Sequence, residues 1–144
     1  MAEFFALLSE TSTWRRFFSS TGPSEKMIQS FCDSSNPPAR LSLIVTRLSD
    51  ADPVIIATGT YVARDESSAE VAFAVDDRFQ GKGIGTLLLE RLAILAVSNG
   101  IQHFWAMTMM ENQPMLHLFE KMGFDIEKRS TTGVYELKMA FREA

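Results

Sequence analysis

Hydrophobic positions change their spacing twice along this chain. Phe4, Phe5, Leu7 and Leu8 predict a short helix, and Trp14, Phe17 and Phe18 predict a second with Ser12 as its cap. Met27, Ile28 and Phe31 predict a third, capped by Ser24. Past a polar loop over 33–38 the period shortens to that of strands, over 41–48, 54–63 and 69–75, with turns at 49–53 and 64–68. Three strands joined this way form an antiparallel meander. From Gly83 to Ser98 the pattern is helical again, with Ile84, Leu87, Leu88, Leu92 and Leu95 as the apolar stripe and Asn99-Gly100 as the stop. A strand over 102–109 follows. A helix over 114–122, capped by Asn112 and ended by Gly123, and strands over 124–128 and 134–141 complete the order. The order predicts a mixed α/β (α+β) fold with a mainly antiparallel sheet. A doubly wound nucleotide fold would alternate strand and helix throughout.

The 144 residues suit one domain over 1–144, and 46% hydrophobic with 22% charged residues is a globular balance. A net charge of −4 argues against nucleic acid as a partner, because phosphate binding needs a basic face. No apolar run has bilayer-spanning length, so no membrane partner is expected. The single cysteine, Cys32, allows no internal disulfide, and the N-terminus shows no signal peptide; both point to the cytoplasm. Cys32 reads as a small helix residue rather than a nucleophile, since no His or acid stands at a telling spacing from it. His103 and His117 lack partners at metal spacing, so no metal is expected.

The chemistry concentrates in Val75-Asp76-Asp77-Arg78-Phe79-Gln80-Gly81-Lys82-Gly83-Ile84-Gly85-Thr86, where a strand ends, a glycine-rich turn follows and an apolar helix begins. A helix N-terminus offers unpaired N–H groups and the positive end of a dipole, and glycines let a phosphate approach them. Lys82 adds a cation. The loop therefore suits a pyrophosphate. It is not a Walker A loop, which needs Gly-Lys followed by Ser or Thr. The spacing Gly81-x-Gly83-x-Gly85 is not the dinucleotide Gly-x-Gly-x-x-Gly either.

Gln80-Gly81-Lys82-Gly83-Ile84-Gly85 resembles the Gln/Arg-x-x-Gly-x-Gly/Ala signature of the GNAT N-acetyltransferase superfamily. Glu111-Asn112-Gln113-Pro114-Met115-Leu116-His117-Leu118-Phe119-Glu120-Lys121-Met122-Gly123-Phe124 resembles its second signature, an Asn before a helix ending in Lys-x-Gly-Phe. Ala69 to Val75 and Met110 to Met115 look like bacterial protein-lysine acetyltransferases. Leu8-Ser9-Glu10 to Arg16-Phe17-Phe18 is similar to the start of GNAT domains fused to ADP-forming acyl-CoA synthetases.

The resemblance implies a sheet with a splayed central strand pair and acetyl-CoA as co-substrate. Pantetheine would pair with the backbone of Phe73, Ala74 and Val75. The pyrophosphate would sit on the amides of Gln80, Gly81, Lys82, Gly83, Ile84, Gly85 and Thr86. Asn112 would contact the cofactor or hold the splayed strands, and Phe119 occupies the place of a Tyr that protonates the departing thiolate in many relatives. A phenyl ring donates no proton, but a thiol of pKa about 8.5 departs as an anion with modest help.

Strand parity puts Glu70, Ala72 and Ala74 on one face and Val71, Phe73 and Val75 on the other. The second face is bulky and reads as core; the first, small and with one acid, suits a cleft floor. Glu70 matches the general base of the lysine acetyltransferases, ten residues before the loop's Gln. A base is needed because a lysine amine has a pKa of about 10.4, so on the order of one molecule in a thousand is neutral at pH 7. The expected reaction is direct attack on the thioester in a ternary complex, with an N–H near Val75 polarising the carbonyl. The expected acceptor is a primary amine, such as a lysine of an acyl-CoA synthetase or other protein. A small-molecule amine acceptor and a non-catalytic acyl-CoA-sensing module are the rival readings; the missing Tyr favours the sensor and Glu70 opposes it. The Trp14-Arg15-Arg16-Phe17-Phe18 cluster reads as a helix packed by its aromatics with the arginines on the wet side, in preference to an acceptor-groove lining. The chain begins just before the first helix and ends just after the last strand, so a stand-alone enzyme or an excised catalytic domain is expected.

Overall fold

The computed structural model describes residues 2–17, 22–32, 40–48 and 53–141, without the side chains of Trp14, Ser30, Phe31, Cys32 and Leu48. The expectations for Phe18, for the loop over 33–38, for the turn over 49–52 and for those side chains lie outside the described residues. Helices α1 (Ala2–Ala6), α2 (Glu10–Phe17) and α3 (Glu25–Cys32) come first. Strands β1 (Arg40–Leu48), β2 (Pro53–Ala63) and β3 (Ser68–Val75) follow. Then come α4 (Ile84–Ser98), β4 (His103–Met109), α5 (Gln113–Lys121), β5 (Asp125–Thr131) and β6 (Val134–Ala140). The strands form one six-stranded sheet in the order β1-β2-β3-β4-β6-β5.

Every strand pair is antiparallel except β3 with β4. That parallel pair runs only from Ser68 opposite His103 to Glu70 opposite Trp105. Beyond Glu70 the two strands part, and the edges over 71–75 and 106–109 have no partner in each other. The expected splay is therefore present, in the middle of the sheet.

One face of the sheet carries the main core: Ala57, Tyr61, Val71, Phe73, Phe104, Ala106, Leu137 and Met139 pack against Leu88, Leu89, Leu92 and Ala96 of α4 and Leu116 and Phe119 of α5. The predicted α4 stripe needs one correction. Leu87 is 44% exposed and Leu89 is fully buried. At about 100° per residue the arc through Leu88, Leu92 and Ala96 takes in Leu89 and leaves Leu87 outside it. The other sheet face meets α1 through a smaller cluster of Phe4, Phe5, Leu8 and Ala74. The face carrying Ala74 is thus roofed at that end and open at Glu70, which is exposed.

Gly59 lies opposite Phe73 in the β2–β3 register. A Cβ there would stand 2.9 Å from the Phe73 ring and 3.0 Å from Leu92. The absent side chain lets Phe73 lie flat on β2 beneath the splay. Gly59→Val is expected to lower unfolding stability by about 1–3 kcal/mol through overpacking, read as a fall in the urea midpoint at unchanged m-value.

No helix among the described residues is long and apolar enough to cross a membrane.

Candidate active site

The parting of β3 and β4 opens a cavity of about 340 Å³ whose lining includes Phe73, Ala74, Val75, Gln80, Gly81, Gly83, Ile84, Gly85, Thr86 and Asn112. Ten of the residues predicted to meet a cofactor are thereby brought together. Lys82 is exposed and is not part of the lining. Phe119 is a correction: it is 1% exposed, in the core, with its ring 6.3 Å from that of Phe73. The apolar face of α5 turns it inward, so it supports the wall from behind. Glu70 stands outside the lining, at the last residue of the β3–β4 pairing.

The loop is shaped for an anion. Gly81 and Gly83 have φ of 75° and 85°, a left-handed backbone that favours glycine, and a Cβ on either would meet nothing within 4 Å. The first helical hydrogen bond of α4 is Leu87 N–H to the Gly83 carbonyl at 3.0 Å. The amides of Ile84, Gly85 and Thr86 therefore have no acceptor within the helix. No acidic side chain occupies its first turn, so the positive end of the dipole is not neutralised there. These are the donors a pyrophosphate needs.

Asn112 caps α5 by position but makes no capping hydrogen bond with its side chain, which is buried in the cavity wall. Capping therefore does not occupy its amide. Gln80 reaches back to donate to the Val75 carbonyl at 3.0 Å and to the Ser12 hydroxyl at 3.1 Å.

Ser12 is not the cap expected of it. Helix α2 begins at Glu10, and Ser9 Oγ accepts the Ser12 amide at 3.1 Å. Ser12, one turn in, donates to Asp77 Oδ2 at 2.8 Å. Asp77 also accepts the Ser9 amide at 3.0 Å and the Ser9 hydroxyl at 2.8 Å. These bonds strap α2 to the segment just before the glycine loop. Burial pushes the Asp77 pKa up, but the hydrogen bonds from Ser9 and Ser12 outweigh it and hold the carboxyl below its ordinary 3.8. A depressed folded pKa contributes stability above the unfolded value, and that contribution is lost as pH falls through the folded one. Asp77→Asn is expected to have a lower Tm than wild type at pH 7, with the gap closing below about pH 4. A pH series of melting curves reads this directly.

The arginines correct another expectation. Arg15 and Arg16 line the cavity instead of facing only water. Arg15 pairs with Glu111 across the lip at 3.2 Å. Arg16 is half-buried. Burial lowers its pKa to about 10, against the opposing pull of the Glu70 charge. The titratable residues of the lining are Arg15, Arg16 and Lys121, all cations. The signal was in the sequence: Ser9, Ser12 and Arg16 recur at helical spacing, so the face that holds the loop also carries Arg16 to the cleft.

A cleft between diverging parallel strands, with a glycine-lined helix N-terminus at one end, can hold an extended ligand that ends in phosphate groups. The acetyltransferase (GNAT) family model matches residues 7–124, and the chain belongs to that family. It is similar to acetyltransferase Pat of Mycolicibacterium smegmatis, 35% identical over 71 residues. That match takes in 48% of this chain and 21% of Pat, so the chain spans about a fifth of that relative's length. The GNAT domain of S. lividans PAT superposes with a TM-score of 0.82 at 28% identity, over 96% of this chain and 82% of that one. The Salmonella typhimurium yncA structure, which contains its cofactor acetyl-CoA, superposes with a TM-score of 0.72 over 98% of this chain and 88% of that one. At 15% identity that last likeness is one of fold. The family's co-substrate is acetyl-CoA, and the open amides of the glycine loop fit its pyrophosphate. Among the described residues no group of three or more His, Cys, Asp or Glu could hold a metal ion.

Proposed function

We propose that this chain transfers the acetyl group of acetyl-CoA to a primary amine, the side chain of a protein lysine, by direct attack in a ternary complex. The observation that carries this reading is the divergence of β3 and β4 immediately after Glu70, opening onto the glycine loop. The amides of 81–86 would take the pyrophosphate, and the free edge of β3 at Phe73, Ala74 and Val75 would pair with pantetheine. Asn112 would hold the opposite wall. Acetyl-CoA supplies an activated thioester carbonyl at the splay.

Glu70 is the proposed base. It is exposed, so an amine arriving from solvent reaches it without crossing the core. Its carboxylate takes the proton from the attacking nitrogen, directly or through a water, as the N–C bond forms and the C–S bond breaks. The thiolate, of pKa about 8.5, then takes a proton from solvent. A lysine is favoured over a small amine because the face around Glu70 is open, with Met107 51% exposed two residues beyond the partner of Glu70.

The deciding experiment offers acetyl-CoA with lysine peptides, an acyl-CoA synthetase, free amino acids and polyamines, and measures thiol release and acceptor mass. Acetylation confined to lysine side chains of peptide or protein is expected. Turnover only with small amines would contradict the acceptor. Tight acetyl-CoA binding without any turnover would favour a sensing module.

A further inference from the structure

Several cations surround the cleft end that holds Glu70, and the reaction above leaves them unused. Helix α2 starts at the glycine loop, where Ser9 and Ser12 bind Asp77 and Ser12 accepts from Gln80. It then packs along β3, and Arg16, one turn past Ser12, lines the cavity within charge range of Glu70. Five residues of strand, about 16 Å, separate Glu70 from Val75, where the loop begins.

The sheet supplies two more cations at that end. Trp105 is the β4 neighbour of Glu70, and Lys138 is the β6 neighbour of Trp105. The Arg64 guanidinium lies 4.4 Å from the Trp105 ring centre and the Lys138 ammonium 5.3 Å. Stacking on one ring holds both beside Glu70. Of the acids nearby, Glu111 is engaged by Arg15, Glu136 lies two residues before Lys138 on β6 and Glu127 stands opposite Lys138 on β5. Around Glu70 itself a lysine entering alone would meet Arg64 and Lys138 held on Trp105, with Glu127 and Glu136 farther out on β5 and β6. A lysine flanked by carboxylates would meet a complementary surface.

We propose that the acceptor lysine lies in an acidic segment whose flanking carboxylates are received by Arg64 and Lys138 beside Glu70. This rests on the lysine reading above. The test uses two peptides of equal length, the lysine flanked on both sides by Asp and Glu or by Gln. Wild type is expected to show kcat/KM about tenfold higher or more for the acidic peptide. The preference should shrink as ionic strength rises. Arg64→Glu with Lys138→Glu is expected to abolish or reverse the preference. Arg64→Gln with Lys138→Gln should reduce it, with acetyl-CoA affinity retained. Equal kcat/KM for both peptides in wild type overturns the inference and leaves lysine acetylation standing. Loss of acetyl-CoA affinity in the charge variants also overturns it, because the cations would then serve the cofactor. Turnover with neither peptide overturns both.

Discussion

Glu70→Gln is expected to lower kcat for lysine acetylation by about 10²–10⁴-fold, the usual contribution of a positioned general base. The substitution keeps the size of the side chain and its hydrogen-bonding capacity, and removes only the ability to take a proton. Glu70 lies outside the cavity lining, so acetyl-CoA affinity should not change. It is exposed, so stability should change little. The effect should therefore fall on kcat, with Kd for acetyl-CoA and Tm close to wild type. Two other patterns would speak against the assignment. Retained kcat would mean that water or another group takes the proton. A loss of acetyl-CoA binding would mean that Glu70, beside Arg16, organises the cleft instead of reacting in it.

The second large effect is expected at Gly83. Its φ of 85° makes it the left-handed N-cap of α4. A Cβ there meets nothing within 4 Å, so the cost of a Val is mainly conformational, about 1–2 kcal/mol. Relief of that strain would rotate the amides of Ile84, Gly85 and Thr86 away from their common focus. The branched side chain would also stand where a phosphate must approach. Together these should weaken acetyl-CoA binding about 10–100-fold, measured by calorimetry. A pantetheine thioester without the pyrophosphate should bind wild type and Gly83→Val alike. Equal weakening of both ligands would place the damage in the pantetheine channel and contradict the phosphate role of the loop.

Much of this was legible in the sequence because it depends on local chemistry. Glycines at 81, 83 and 85 before an apolar helix predict a turn that leaves the first amides of the helix open, and alternation over 69–75 assigned Val71 and Phe73 to the core and Glu70 to the other face. Long-range partners were less legible. Ser12 has the chemistry of a cap, but Ser9 three residues earlier does that work, and only the fold brings Asp77 to Ser12 across 65 positions of chain. The stripe of α4 was misplaced at Leu87 because a helix rich in leucine offers more than one apolar arc, and the sheet decides which is buried. Arg15 and Arg16 read as surface residues because Arg usually is one; the cleft that draws them in exists only once β3 and β4 part. Phe119 was assigned to the cofactor by alignment with a reactive Tyr, whereas the packing of α5 points its ring into the core.

The central claim, direct acetyl transfer from a cofactor held in the β3–β4 splay, is tested most directly with acetyl-labelled acetyl-CoA. The chain is mixed with it in the presence and absence of a lysine peptide, and both protein and peptide are weighed by intact mass spectrometry. The account predicts label on the peptide ε-nitrogen, none on the chain when the peptide is omitted, and no transfer by Glu70→Gln. Label on the chain itself would show an acyl-enzyme route and contradict direct attack, and unchanged transfer by Glu70→Gln would contradict the base.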